Sequence, residues 1–236
     1  MFRQQSASLV LPTYNEKDSI QRVISAFESL NVFEEIIVVN NNAAPGTSEE
    51  IQKTSAREVF ENKQGYGAAI MRGLREATSD LIVVCEPDGT FFERDVFKFF
   101  EYSRDFDVVY GSRTMNDLIW EGANMGWFLR VGNYSVAKLM ELLFNSCSLS
   151  DVGCTYRLVR RPVVDYVDKK CFVVSNYFGP EMMIATIRNK DYKVVQIPIN
   201  YQERVGESSV TGKLGVAIIL GIKMIILILR KRLTPA

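Results

Sequence analysis

The feature that most constrains this chain is the alternation, through its first half, of short β-rich runs with amphipathic segments. "ASLVLP" (7–12), "EIIVVN" (35–40), "AREVFE" (56–61), "DLIVVCE" (80–86) and "FDVVYG" (106–111) are bounded by Asn, Gly, Pro and Asp, as buried strands are. Between them, residues 16–30, 47–55, 67–77 and 93–103 carry apolar residues at helical spacing. A βαβαβαβαβ order predicts an α/β fold with a largely parallel sheet covered by helices, because only a crossover returns the chain to a parallel strand. A length of 236 residues suits one such domain with an appendage. In open sheets of this kind ligands bind beyond the carboxyl ends of the strands, near a topological switch point. Those ends are 12–16, 40–42, 62–67, 86–88 and 111–113, a polar rim above an apolar floor.

Composition narrows the chemistry. The chain has no histidine, which excludes a Ser/His/Asp triad, histidine metal ligands and imidazole acid–base work. Lysine plus arginine equal aspartate plus glutamate at 28 each, so no charge excess points to nucleic acid. The four cysteines, Cys85, Cys147, Cys154 and Cys171, show no CxxC spacing and read as reduced structural thiols. The first apolar stretch is too short for a signal-peptide core and runs straight into "PTYNE", so the expected location is the cytoplasm.

Carboxylates, cations, backbone and metal remain. In "EPDGTF" the strand ends on Glu86 and Asp88, one residue apart around Pro87, and two like charges at one point ask for a cation. Mg²⁺ or Mn²⁺ held by one or two carboxylates plus substrate phosphates answers that repulsion, although Pro-Asp-Gly is also good turn chemistry. "GYGAAIMRG" places Gly65 and Gly67 before a helix, where backbone N–H groups approach a phosphate or sugar, or where glycines permit tight helix packing. It is not a dinucleotide fingerprint, because it follows the third strand and Ile70 stands where a small residue belongs, so an oxidoreductase is the weakest reading. In "PTYNE", Asn15 is a candidate helix cap, and Tyr14 and Glu16 stand on the rim facing a base and ribose.

The second half has a long helical segment (about 124–145), then "DVGCTYRLVRRP" (151–162), a helix after "FGPEMM" (178–183) and a strand in "YKVVQIPINY" (192–201). "QERVGESSVTGK" (202–213) has the composition of a mobile loop. The apolar run 214–229 reaches roughly 24 Å as a helix, short of a hydrocarbon core of roughly 30 Å. With Lys213, Lys223, Arg230 and Lys231 on one side, it suits an interfacial helix contacting the membrane through 214–232, or one packed on the domain or a second subunit.

"PTYNE", the end of strand two, "NKQGYGAAIMRGL", "EPDGTF", "YGSR", "DVGCTYRLVRR" and "ERVGESSVTG", in that order over nearly the whole chain, resemble a family 2 glycosyltransferase of the GT-A fold, most of all the dolichyl- or polyprenyl-phosphate sugar synthases. The resemblance implies a GT-A domain over 1–212, with a nucleotide-sugar half (1–115) and an acceptor half with the mobile loop (116–212), and a terminal helix over 213–236. It implies that Pro12, Tyr14, Glu16, Asn40 and Asn41, with Gly65 and Gly67, meet the donor nucleotide, and that Glu86 and Asp88 hold the metal on its diphosphate. Arg113, Arg130, Arg204 and the loop serines Ser208 and Ser209 would meet phosphates, and Asp151 and Arg157 would line the acceptor side. Two departures stand out: "NNNAAPGT" replaces the usual acidic pair, so an asparagine carbonyl would accept the base N–H, and Glu86 replaces an aspartate.

The implied activity is inverting transfer from a nucleotide sugar to polyprenyl phosphate, peripheral at the inner face of the membrane. A saccharide acceptor in surface-polysaccharide assembly is the alternative, and it requires a carboxylate base, for which Glu181 and Asp151 are the candidates. A nucleotide-binding module without turnover is the reading from another class, and a homo-oligomer is compatible with either.

Overall fold

The computed structural model describes residues 5–123, 126–206 and 214–234. Its elements follow the predicted alternation: β1 (Ala7–Thr13), α1 (Lys17–Glu28), β2 (Glu35–Asn40), α2 (Thr47–Ile51), β3 (Arg57–Phe60), α3 (Tyr66–Glu76), β4 (Leu81–Val84), α4 (Val96–Tyr102) and β5 (Val108–Ser112). Then come α5 (Trp127–Phe144), β6 (Arg157–Arg160), α6 (Arg161–Lys170), α7 (Phe178–Arg188), β7 (Val194–Pro198) and α8 (Leu214–Leu233). β6 and α6 are not anticipated by the sequence reading. β6 has only two apolar residues between arginines, and α6 starts with Pro162 in its first turn, where a missing N–H costs nothing.

The seven strands form one sheet in the order β3-β2-β1-β4-β6-β5-β7. Only β6 runs against the others, antiparallel to both β4 and β5. Residue alternation divides the core. Val10, Ile82 and Val84 face α3, α5, α6, α7 and α8, while Leu9, Leu11, Leu81 and Val83 face α1 and α4. The spacing Ile20, Val23, Ile24, Phe27 is why α1 is a helix with one buried face. The four cysteines are free thiols.

The chain steps outward from β1 to β2 and β3, then returns to place β4 on the other side of β1. The switch point therefore lies between the carboxyl ends of β1 and β4. Those ends deliver Thr13–Glu16 and Cys85–Asp88 to the same crevice.

The terminal helix is docked on the domain. Met224 and Ile228 of α8 are buried in the core that includes α5 and α7. Lys231 pairs with Glu181 of α7 at 2.8 Å, and Arg188 donates to the carbonyls of Lys231 and Thr234 at the helix end, where donors are wanted. The expected basic face is thereby corrected: Lys231 is tied inward, Lys223 and Arg230 are exposed, and Lys213 lies outside the described residues. Ile218, Ile222, Ile226, Leu229 and Leu233, at steps of three and four, form an open apolar stripe on the same helix. Among the described residues, no helix is long and apolar enough to cross a membrane.

Candidate active site

At the switch point one guanidinium gathers three carboxylates. Arg204 donates from Nη2 to Glu16 Oε1 at 3.1 Å, and its Nη1 lies 2.7 Å from Asp88 Oδ2 and 3.9 Å from Glu86 Oε2. Its position is set by backbone: Val205 N donates to the Asp88 carbonyl at 2.9 Å and Gln202 N to the Thr90 carbonyl at 2.7 Å. The expectation of a mobile loop from 202 onward is thus corrected for its first residues, which are laid against the Asp88 turn. Ser208 and Ser209 lie outside the described residues.

Asp88 is buried, 1% exposed. Its Oδ1 accepts from Thr90 N (2.9 Å) and Thr90 Oγ1 (2.6 Å), the local bonding that makes Asp-Gly-Thr a tight turn. Ser19 Oγ ties that turn to α1 by donating to the Pro87 carbonyl at 2.7 Å. Oδ2 has no hydrogen-bond partner, because the Arg204 contact is an ion pair without hydrogen-bond alignment. Burial, followed by the negative charge of Glu86, pushes the Asp88 pKa up; Arg204 and Thr90 pull it down without cancelling those effects. Two carboxylates converging on one point, with the buried Asp88 oxygen balanced by an arginine ion pair and not by a hydrogen bond, are a donor set that fits a hard divalent ion. No group of three or more metal-ligating side chains occurs among the described residues, so such an ion would complete its shell with phosphate oxygens and water.

Glu16 serves the turn before it serves a ligand. Its Oε2 accepts from Tyr14 N (2.7 Å), Asn15 N (2.9 Å) and Thr13 Oγ1 (3.1 Å), so Asn15 does not cap α1. Pro12 is buried in β1, and Tyr14 is 48% exposed on the rim. Glu86 is held from behind: Oε1 accepts from Thr155 Oγ1 at 2.5 Å and Tyr66 Oη at 3.0 Å, and these two hydroxyls also touch each other. Tyr66, Thr90 and Thr155 are the site residues that sequence reasoning missed. Tyr66 lies between the two glycines of the α3 turn, and nothing in the sequence pairs it with Thr155, 89 residues away.

Several expected ligands have other tasks. Asn40 donates to Glu58 Oε1 (2.8 Å) and accepts from Ala43 N (2.8 Å). Asn41 donates to the carbonyls of Glu61 (2.7 Å) and Lys63 (2.9 Å), while its oxygen accepts from Gly65 N (2.8 Å) and Gln64 Nε2 (3.3 Å). Both asparagines are builders of the rim: Asn41 uses both amide protons and both acceptor sites of its oxygen, and Asn40 is tied to Glu58 and Ala43 N. An aspartate at 41 could not donate to those two carbonyls.

Gly67 N donates to the Val174 carbonyl at 2.8 Å, and a Cβ at Gly67 would stand 2.4 Å from the Val173 carbonyl oxygen. Gly65, at φ 149°, would place its Cβ 2.2 Å from the Val174 carbonyl oxygen. The two glycines admit the 173–174 backbone; Gly67 N does not face an open phosphate site.

On the acceptor side, Arg113 is bound to buried Asp151 through Nε (2.8 Å) and Nη2 (3.0 Å). Burial raises the Asp151 pKa, but the charge and hydrogen bonds of Arg113 outweigh it and hold the carboxylate below its usual range. Arg157, 1% exposed, donates to the Thr155 carbonyl (2.9 Å) and the Cys154 carbonyl (2.6 Å), so it lines no acceptor surface. Glu181 is 2% exposed; its Oε2 accepts from Phe172 N (2.9 Å) and Val173 N (2.7 Å), and its other oxygen pairs with Lys231. Neither Asp151 nor Glu181 is a free base. Arg130 is half-buried, bonds Asn116 and lines a cleft of about 260 Å³ with Thr114, Val131 and Tyr134.

The model of the family described as glycosyl transferase family 2 matches residues 8–167. The chain belongs to that family. Among family 2 relatives, the dolichyl-phosphate hexose transferase of Haloferax volcanii is 26% identical over 203 residues, 85% of each chain. The dolichol-phosphate mannosyltransferase of Pyrococcus furiosus is 27% identical over 229 residues, 87% of this chain and 59% of that protein. Two solved structures of glucosyl-3-phosphoglycerate synthase from Mycobacterium tuberculosis match 99% of this chain. One, with Mn²⁺, UDP and phosphoglyceric acid, has a TM-score of 0.75 at 15% identity and 80% coverage of that chain. The other, with Mg²⁺ and UDP, has a TM-score of 0.73 at 16% identity and 81% coverage. The family 2 chain thus has the GT-A fold: a mostly parallel α/β sheet flanked by helices, with a terminal helix.

Proposed function

We propose that this family 2 chain is an inverting glycosyltransferase that moves a sugar from a nucleoside-diphosphate sugar to a polyprenyl phosphate, with Mg²⁺ or Mn²⁺ held by Asp88 and Glu86. The observation that carries the reading is the buried Asp88 Oδ2 at the switch point, which accepts no hydrogen bond and is bridged to Glu86 by the Arg204 guanidinium. A divalent ion there supplies charge stabilisation for the departing diphosphate. Arg204 exchanges its carboxylate contacts for phosphate oxygens when donor enters. Pro12, Tyr14 and Glu16 flank the nucleotide, with the ring of Tyr14 free to lie against a base. Residues 1–115 serve the donor, and 116–212 serve the acceptor and lend Arg204 to the donor site.

Two features favour a lipid phosphate acceptor over a saccharide hydroxyl. A phosphate monoester, with a second pKa near ~6, is already ionised at neutral pH and needs no strong base, whereas a hydroxyl does. Both candidate bases are engaged, Asp151 by Arg113 and Glu181 by Lys231 and two backbone N–H groups. The cleft at Arg130 also opens beside the exposed Trp127, Phe128, Val131 and Tyr134, a cation next to apolar surface. The names of the archaeal relatives agree with this acceptor class. The test is a panel of labelled nucleotide sugars offered to the protein with polyprenyl phosphate or with sugar acceptors. Label in the lipid phase is the expected result. Transfer to sugars alone sinks the lipid reading, and donor binding without consumption would leave a nucleotide-binding module.

The same proposal places α8 against an anionic membrane surface through its isoleucine stripe, with Lys223, Arg230 and Arg232 at the headgroups. Each half-exposed isoleucine has roughly 1 kcal/mol left to gain on full burial. The triple exchange Ile218→Ser, Ile222→Ser, Ile226→Ser should therefore weaken binding to anionic liposomes by about 100-fold, with the melting temperature nearly unchanged. Flotation that matches the parent protein would refute membrane contact by this face.

A further inference from the structure

We propose that Tyr66 and Thr155 are positioning residues that fix Glu86 in one rotamer and so set the affinity of the Glu86–Asp88 pair for a divalent cation. The inference rests on the divalent-ion reading above and assigns a task to two residues which that reading leaves unused.

Tyr66 opens α3 and Thr155 stands two residues before β6 proper, so the two approach Glu86 from different elements. Their hydroxyls and Glu86 Oε1 form a closed triangle: Thr155 to Glu86 at 2.5 Å, Tyr66 to Glu86 at 3.0 Å, and Tyr66 to Thr155. Two protons serve three oxygens. Because an ionised carboxylate only accepts, at least one O–H is directed at Oε1 in every arrangement in which both hydroxyl protons stay within the triangle. That oxygen is hydrogen-bonded from behind, and Oε2 is the one that faces Arg204. Glu86 is thereby presented through a single oxygen.

The reason a clamp is needed lies in the residue type. A glutamate has one more rotatable bond than an aspartate, and immobilising such a side chain costs up to roughly 1.5–2 kcal/mol in rotamer entropy. A carboxylate fixed before the ion arrives does not lose that freedom on binding. The clamp is itself anchored. Arg157, excluded from the acceptor surface by its burial, donates to the carbonyls of Thr155 and Cys154 and lies against the Tyr110 ring at 5.5 Å. The buried cation therefore locks the backbone that aims the Thr155 hydroxyl. Arg157, Thr155 and Glu86 form one positioning chain, and Tyr66, from α3, completes it beside Thr155.

Hydrogen bonds behind metal ligands typically alter metal affinity by about 10–100-fold. The test titrates Mn²⁺, alone and with UDP or GDP, into the full-length protein and its Tyr66→Phe and Thr155→Val variants, reading free Mn²⁺ by electron paramagnetic resonance. Both variants are repeated in a Glu86→Ala background, and melting temperatures are recorded for all. About tenfold weaker Mn²⁺ binding in each single variant, near-parental melting, and no further loss in the Glu86→Ala background is the expected pattern. Parental Mn²⁺ affinity in folded Tyr66→Phe and Thr155→Val proteins overturns the clamp alone. A loss that persists without the Glu86 side chain does the same. A parent protein that binds no Mn²⁺ under any of these conditions overturns the divalent-ion reading and the clamp together.

Discussion

Asp88→Asn is expected to lower sugar transfer by at least about 10²–10³-fold while leaving the fold intact, the loss seen when a preorganised charge is removed from a transition state. The substitution keeps the turn, because an asparagine oxygen can still accept the two Thr90 bonds now made by Oδ1. It replaces the buried Oδ2, which accepts no hydrogen bond, by an amide NH2, and so removes the charge together with the Arg204 ion pair. Stability should change little, since burial and Glu86 already disfavour the ionised form and Arg204 retains Glu16 and Glu86. The measurement is kcat/KM for the donor across a Mn²⁺ series, beside a thermal melt. Transfer at the parental rate in the variant, or in the parent with a chelator present, would remove the metal from the mechanism.

Strand-like runs with clear ends are legible in the sequence where the strand is buried on both faces, as β1, β2, β4 and β5 are; β3 is an exposed edge. "EIIVVN" is β2 without a residue's difference, and "DLIVVCE" contains β4. β6 was invisible for the converse reason: Arg157 carries a buried charge in a four-residue strand, and no periodicity predicts a guanidinium facing a sheet's interior. The same limit governs the site. Glu16, Glu86, Asp88 and Arg204 were recognisable singly, since strand ends at a switch point are where ligands go. That one arginine unites them depends on residues 202–205 lying against the Asp88 turn, a long-range contact. Asn40 and Asn41 show the complementary error. Their type is compatible with reading a base, but both side chains bond the rim itself, and the capacity of Asn41 is fully used there.

Asp151→Ala should destabilise the protein by about 3–5 kcal/mol, the cost of stranding one member of a buried ion pair. For a chain of this size that is a fall of roughly 10 °C or more in melting temperature. Asp151 is fully buried and accepts from Arg113 Nε, Arg113 Nη2, Arg113 N and Gly153 N, so its removal leaves a largely buried guanidinium, 13% exposed, and two backbone N–H groups without their acceptor. Arg113→Met added to Asp151→Ala should recover much of the loss, because it removes the unpaired charge. The effect must also depend on pH in one direction. The folded-state pKa of Asp151 is lowered, so its contribution is fully present above the unfolded value near ~3.9 and is lost as pH falls through the folded one. Urea melts should show a constant gap between parent and Asp151→Ala from pH 7 to about pH 5, narrowing below about pH 4. An unchanged gap at pH 3.5 would refute the lowered pKa. Transfer assayed well below both melting temperatures separates this role from catalysis: a positioning pair leaves kcat within about tenfold, whereas loss of a general base costs about 10²–10⁴-fold. A loss of the larger size in a folded Asp151→Ala protein would return the saccharide-hydroxyl acceptor to first place.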